Sequence, residues 1–114
     1  MIISRLESEG VRVTPSYREN SLKIVEYISR MIEEHDMRFS DNMLVASMWI
    51  AGMMLTCGNR NSIDYVSQEA LCEIWPSSTV GLRASTLKIC EVFYIDRKNI
   101  SKIDIDEFVL GVRY

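Results

Sequence analysis

The stretch Asp41–Met54, DNMLVASMWIAGMM, decides how this chain must fold. From Met43 onward it is apolar on every side, interrupted only by Ser47 and by the small residues Ala46, Ala51 and Gly52. A helix that is greasy all round is either a membrane span or the buried centre of a helical domain. About 15 apolar residues reach about 22 Å as a helix, short of the ~30 Å hydrocarbon core of a bilayer. Ser40 supplies an N-cap and Gly58 a stop, as at the ends of a helix in a water-soluble domain. The small residues admit neighbouring helices at close range, and Met48, Trp49, Met53 and Met54 fill the gaps between them. The expectation is an all-α bundle with this segment as its hub and with Ala46, Ile50 and Met54 among its most buried residues.

Composition is consistent with that. The 114 residues suit one domain, large enough to bury about two-thirds of its surface. Hydrophobic residues make up 47% and charged residues 25%, ordinary for a globular protein. A net charge of −3 argues against a non-specific nucleic-acid coat, but leaves room for a reader that uses one local patch. Cys57, Cys72 and Cys90 are odd in number and lack paired spacing, which fits buried thiols in a reducing compartment better than disulfides or a zinc site. The opening MIISRLESEG carries acids where a signal peptide needs an uninterrupted apolar run, so an intracellular location is expected.

On the N-terminal side of the hub, residues 2–9 make a short helical arm with Ile2, Ile3 and Leu6 on one side, ended by Gly10. Val11-Arg12-Val13 is extended, and Thr14-Pro15 reads as an N-cap followed by the first helical residue. The next helix runs to about Glu34, with Leu22, Val25, Ile28 (or Ser29) and Ile32 on its inward face and Ile24 and Met31 widening it. His35 stands alone at the end of that helix, where the helix terminus explains it without any catalytic role.

On the other side, Gly58–Ser62 (GNRNS) forms a turn, and Ser62–Val66 is either one helical turn or irregular. Ser67 caps a helix SQEALCEI, with Glu69 in its first turn and Leu71 and Ile74 pointing inward. Trp75-Pro76 breaks it. Ser77 or Ser78 then caps a longer helix to about Tyr94, with Val80, Leu82, Leu87, Ile89, Cys90 and Phe93 available for burial. A short helix, a turn of three or four residues and a longer helix is the layout of a helix-turn-helix, here at about residues 67–94.

The second helix of such a pair presents its N-terminal residues to the major groove. Ser78, Thr79 and Arg83 are therefore candidates to meet base edges, Arg83 through a bidentate contact to guanine. Ser77 and the helix N-terminus are placed to hold a phosphate, with Lys88 lower down. The alternative is that any two helices of a bundle meet this way and Arg83 is an ordinary surface residue. The C-terminal extension, residues 95–114, ends in a helix from about Asp104 or in a strand-like arm; its periodicity does not distinguish them. Asp96, Asp104, Glu107 and Phe108 fall at calcium-loop spacing, but Lys98 and Ile100 occupy positions that need oxygen ligands, which excludes calcium. No GxSxG, HExxH or phosphate-cradling glycine loop is present, and the cysteines have no neighbouring histidine, so neither an enzyme nor a cofactor is expected.

The succession of a polar helix, ASMWIAG in a buried helix, and SQEALCEI-WPSS-TVGLRASTLKI resembles a cyclin-fold repeat of general transcription initiation factor IIB of archaea and eukaryotes, most closely its C-terminal repeat. Ala46, Ile50, Ala51 and Gly52 correspond to the small-rich core segment of that repeat. Leu71–Arg83 follows its helix-turn-helix without a gap, with Val80, Leu82 and Arg83 on matching positions. The resemblance covers roughly residues 2–94. It implies a cyclin-like five-helix bundle over 1–114 and binding to double-stranded promoter DNA. The partners it implies are TATA-binding protein and RNA polymerase, with neither a membrane nor a small-molecule substrate. It also implies an archaeal cytoplasm or a eukaryotic nucleus as the setting. The recognition helix of that family is richer in arginine, whereas here Gly81, Ala84, Ser85 and Thr86 surround a single one, and the loop Thr56–Val66 is longer. The family's zinc ribbon and first repeat have no counterpart in these residues. The competing expectation is a cyclin-fold adaptor that binds protein without touching DNA. Arg83, Lys88, Arg97 and Lys98 discriminate: sharing a face with the N-terminus of the Ser78 helix they favour DNA, and scattered or paired with acids they favour the adaptor.

Overall fold

Each of the long helices begins at a side-chain cap that is legible in the sequence. In the computed structural model, which describes residues 2–75 and 78–111, α1 spans Ile2–Ser8 and α2 spans Pro15–Glu34. The hub is α3, Asp41–Thr56, followed by α4, Gln68–Ile74, and α5, Thr79–Phe93. A 3₁₀ helix at Arg97–Lys102 and a short α6 at Ile105–Val109 complete the described chain, which contains no strand. Thr14, Ser40, Ser67 and Ser78 accept backbone N–H groups of Tyr17, Met43, Ala70 and Gly81, so each satisfies a donor that the first turn leaves orphaned. The far ends close with left-handed residues. Cys57 (φ 53°) and Gly58 (φ 78°) stop α3, where the Gly58 N–H reaches the Met53 carbonyl at 3.1 Å, and Tyr94 (φ 56°) stops α5. His35 Nδ1 donates to the Met31 carbonyl at 2.8 Å, serving the end of α2.

α3 is buried along almost its whole length, including Ala46, Ile50, Ala51 and Met54. It packs against α2, α4, α5, the 3₁₀ helix and α6, while α1 lies on α4 and buries Ile3 and Leu6. The buried serine and threonine hydroxyls of α3 are satisfied within the helix, whereas the indole N–H of Trp49 is buried without a partner among the described residues. Ser47 donates to the Met43 carbonyl at 2.7 Å and Thr56 to the Gly52 carbonyl at 2.7 Å. The most telling contact is Tyr17, fully buried, whose hydroxyl donates to the Met48 carbonyl of α3 at 3.0 Å. Its ring crosses α3 at Gly52, where a Cβ would stand 3.4 Å from the ring. No helix among the described residues is long and apolar enough to cross a membrane.

Two features differ from the sequence reading. The inward face of α2 runs through Tyr17, Ser21, Ile24, Ile28 and Ile32, so Leu22 is half exposed and borders a cavity of about 180 Å³ with Ile3, Val25, Leu44, Met48 and Trp75. Ser21 is small enough to sit at the contact with α3, and that shifts the stripe by one residue. The C-terminal extension is helical and belongs to the core: Ile100, Ile103, Ile105 and Phe108 are buried. Phe108 meets Tyr27 edge-on at 5.2 Å and Phe93 at 4.9 Å. Asp96 and Asp104 spend their carboxylates on capping, accepting from Lys98 N–H and from Asp106 and Glu107 N–H. The loop before α4 is irregular; it is tied down by Val66 in the core and by the Thr14 hydroxyl, which donates to Asp64. Val112 and Tyr114 lie outside the described residues.

Ala51→Asp sets a charge against the core side of α3 and should cost several kcal/mol, read as a large fall in melting temperature by circular dichroism. Burial also pushes the Tyr17 hydroxyl well above the usual phenol range. The unfolded chain ionises that group near pH 10 and the folded chain does not. Its contribution is thus complete below about pH 10 and is lost progressively as the pH rises beyond. Tyr17→Phe should lower stability by about 1 kcal/mol near neutral pH and remove part of the alkaline decline, measured by urea melts near pH 7 and near pH 11.

Candidate functional site

The helix-turn-helix candidate is built from α4 and α5, which pack on each other while α5 rests on α3. Seven residues of α4, a short connection and fifteen residues of α5 reproduce the expected spacing. Trp75 closes α4 in an extended conformation, with the Arg5 guanidinium 5.7 Å above its ring. Ser77, a candidate phosphate contact, lies outside the described residues. The Ser78 hydroxyl accepts from Gly81 N–H at 3.0 Å and so has a structural duty at the cap. Thr79 and Arg83 are exposed on the first turns of α5.

The inward side of α5 is Leu82, Thr86, Ile89 and Cys90, with the Thr86 hydroxyl donating to the Leu82 carbonyl at 2.8 Å. Val80 and Leu87, which hydropathy places inside, are instead 74% and 50% exposed, because the arc that meets α3 is centred between Leu82 and Thr86 and leaves them on the far side. Tyr94, the left-handed residue that stops α5, stands at the C-terminal end of the helix at 78% exposed. The outward face of the helix therefore carries Val80 and Leu87, interspersed with Ala84 and Glu91, with Tyr94 exposed at its C-terminal end. The signal that betrays it is the sevenfold spacing of Val80 and Leu87, which keeps them on one side of the helix.

The four cations do not gather. Lys88 is turned roughly 140° around α5 from Arg83 at about 100° per residue. It lines a groove with Met37, Arg38, Ser40, Met43, Ala84 and Ser85, so Arg38 joins it from the connection between α2 and α3, a neighbour the sequence did not suggest. Arg97 and Lys98 lie past the C-terminal end of α5, roughly 20 Å along the helix from its N-terminus. Arg97 is stacked 5.5 Å above the Trp49 ring. Among the described residues none of Arg38, Arg83 and Lys88 forms an ion pair.

Cys57, Cys72 and Cys90 are free thiols, exposed, half-buried and buried in turn. Burial pushes the Cys90 thiol up, opposed by the nearby Arg97 and reinforced by Asp96, and burial with the Glu69 charge raises Cys72. No group of three or more metal-ligating side chains comes together among the described residues. Against known proteins, no family model, no curated protein and no solved structure matches this chain.

The thiols make a direct check of this geometry. In the native protein near pH 8, a thiol reagent should label Cys57 first and Cys90 last, since a raised thiol holds less thiolate and burial hinders attack. All three should react in denaturant, and elemental analysis should find no stoichiometric zinc.

Proposed function

We propose that this chain is an intracellular, cyclin-like binding module of the factor IIB type that works through the outward face of α5, with protein contact as its main mode. Support for the cyclin-like arrangement comes from α3 enclosed by α2, α4 and α5, in the order the resemblance implies. The single observation that carries protein contact is the exposed apolar line on the helix that a DNA reader would lay in the major groove. Base edges and phosphates call for donors and cations along that face. Val80, Leu87 and Tyr94 offer apolar area instead, and Arg97 and Lys98 stand at the wrong end of the helix to add to Arg83. Apolar and aromatic side chains in a line are what a protein surface packs against. No catalytic step is assigned to it.

A second reading, a DNA-binding transcription initiation factor acting on promoter DNA with TATA-binding protein and RNA polymerase, is favoured by one observation. Thr79 and Arg83 are exposed at the start of a capped helix, and among the described residues neither Arg83 nor Lys88 pairs with an acid. As a DNA reader the helix would neutralise about two to four phosphates, giving a shallow salt dependence. Arg83→Ala would then cost about 1–3 kcal/mol at one base pair, and Lys88→Ala would weaken all sequences alike. Protein contact predicts instead that Arg83→Ala leaves binding to a promoter fragment unchanged at two salt concentrations, with and without TATA-binding protein. An Arg83-dependent, sequence-selective loss in that assay would put DNA in place of protein.

A further inference from the structure

We infer that the occupant of the α5 face is a second copy of this chain, the two α5 helices packing antiparallel about a two-fold axis at Leu87; this rests on the protein-contact reading above. The apolar line is symmetric about that residue. Val80 lies seven residues before Leu87 within the helix and Tyr94 seven after, at the left-handed cap that ends it, and all three are at least half exposed. A recurrence of seven is the spacing at which two helices keep a common seam. Reversing the helix about Leu87 sets Val80 of one copy at the level of Tyr94 in the other, twice, with the two Leu87 side chains meeting at the centre. This is the self-complementarity that an isologous interface requires, residue i against j and j against i.

Charge obeys the same symmetry. Arg83 stands four residues before Leu87 and Glu91 four after, on the exposed arc, and neither forms an ion pair among the described residues. Antiparallel pairing brings Arg83 of each copy to the level of Glu91 of the other, whereas parallel pairing would stack like against like. Shape agrees at the ends. A shallow depression of about 660 Å³ opens between Leu87, Cys90, Tyr94 and Ile95, rimmed by the charged Glu91, Asp96 and Arg97, at the level where the second copy's Val80 arrives. A helix about 22 Å long covers less than the roughly 800 Å² per partner of a standard interface, so the dimer is weak and its population depends on concentration.

The test is sedimentation equilibrium of the full chain from low to high micromolar concentration. The wild type is expected to shift from monomer to dimer. Leu87→Glu, at a half-exposed position that leaves the fold intact by circular dichroism, should raise the dissociation constant about 100-fold or more. Arg83→Glu and Glu91→Arg should each weaken the dimer by roughly tenfold, and the double variant should restore it. A chain that stays monomeric throughout, a dimer indifferent to Leu87→Glu, or two charge reversals that fail to compensate each other would overturn the inference. The promoter assay separates this from failure of the protein-contact reading. A monomer whose DNA binding ignores Arg83 overturns only the homodimer, whereas a monomer with Arg83-dependent DNA binding overturns both.

Discussion

A helix with no polar side has to be covered all the way round, and every other element of this protein is arranged to satisfy that demand on α3. One flanking helix leaves most of such a cylinder wet; α2, α4, α5, the 3₁₀ helix and α6 together enclose it. At roughly 25 cal/mol per Å² of apolar surface removed from water, the incentive to close the last gap is as large as the incentive to form the first contact. Small residues decide who comes closest. Gly52 allows the Tyr17 ring to lie against α3, and Ser21, one turn along α2, is buried with its hydroxyl donating back to the Arg18 carbonyl. Where α2 and α3 cross, tight approach outranks hydropathy.

That ranking explains which parts of the fold could be read in advance. Caps are local chemistry, so Thr14-Pro15, Ser40, Ser67 and the Ser78 position announced their helices without reference to any partner. The hub announced itself through the absence of a polar side. Faces were harder. Leu22 is a better hydrophobe than Ser21, and a count of apolar residues turns α2 toward it, yet the crossing with α3 selects the smaller neighbour. Tyr17 carries no core signal in the sequence because its hydroxyl marks it as amphipathic, and its burial depends on the Met48 carbonyl of another helix. The extension was ambiguous because Ile103 and Ile105 alternate with acids as a strand would; those acids prove to be helix caps or solvent-facing.

The candidate site shows the same division. The short helix, connection and long helix were visible as punctuation by serine and by Trp75-Pro76. What α5 displays outward was not, because Val80 and Leu87 read as core until the arc that meets α3 is known. The cations were visible as residues but not as an arrangement. Arg38 and Lys88 share a groove through a chain reversal that no spacing rule encodes, and Arg97 is drawn to the Trp49 ring at the other end of the helix.

The enclosure of α3 by the 3₁₀ helix and α6 carries a consequence for biosynthesis. Those segments leave the ribosome well after the hub they cover, so a nascent chain has only α2, α4 and α5 to set against α3 until Ile100, Ile103 and Phe108 have emerged. During that interval the most apolar segment of the protein is a ready substrate for chaperones or for other unfinished chains. A chain ending before Ile100 would keep α2, α4 and α5 around the hub but would lack the cover that Ile100, Ile103 and Phe108 supply.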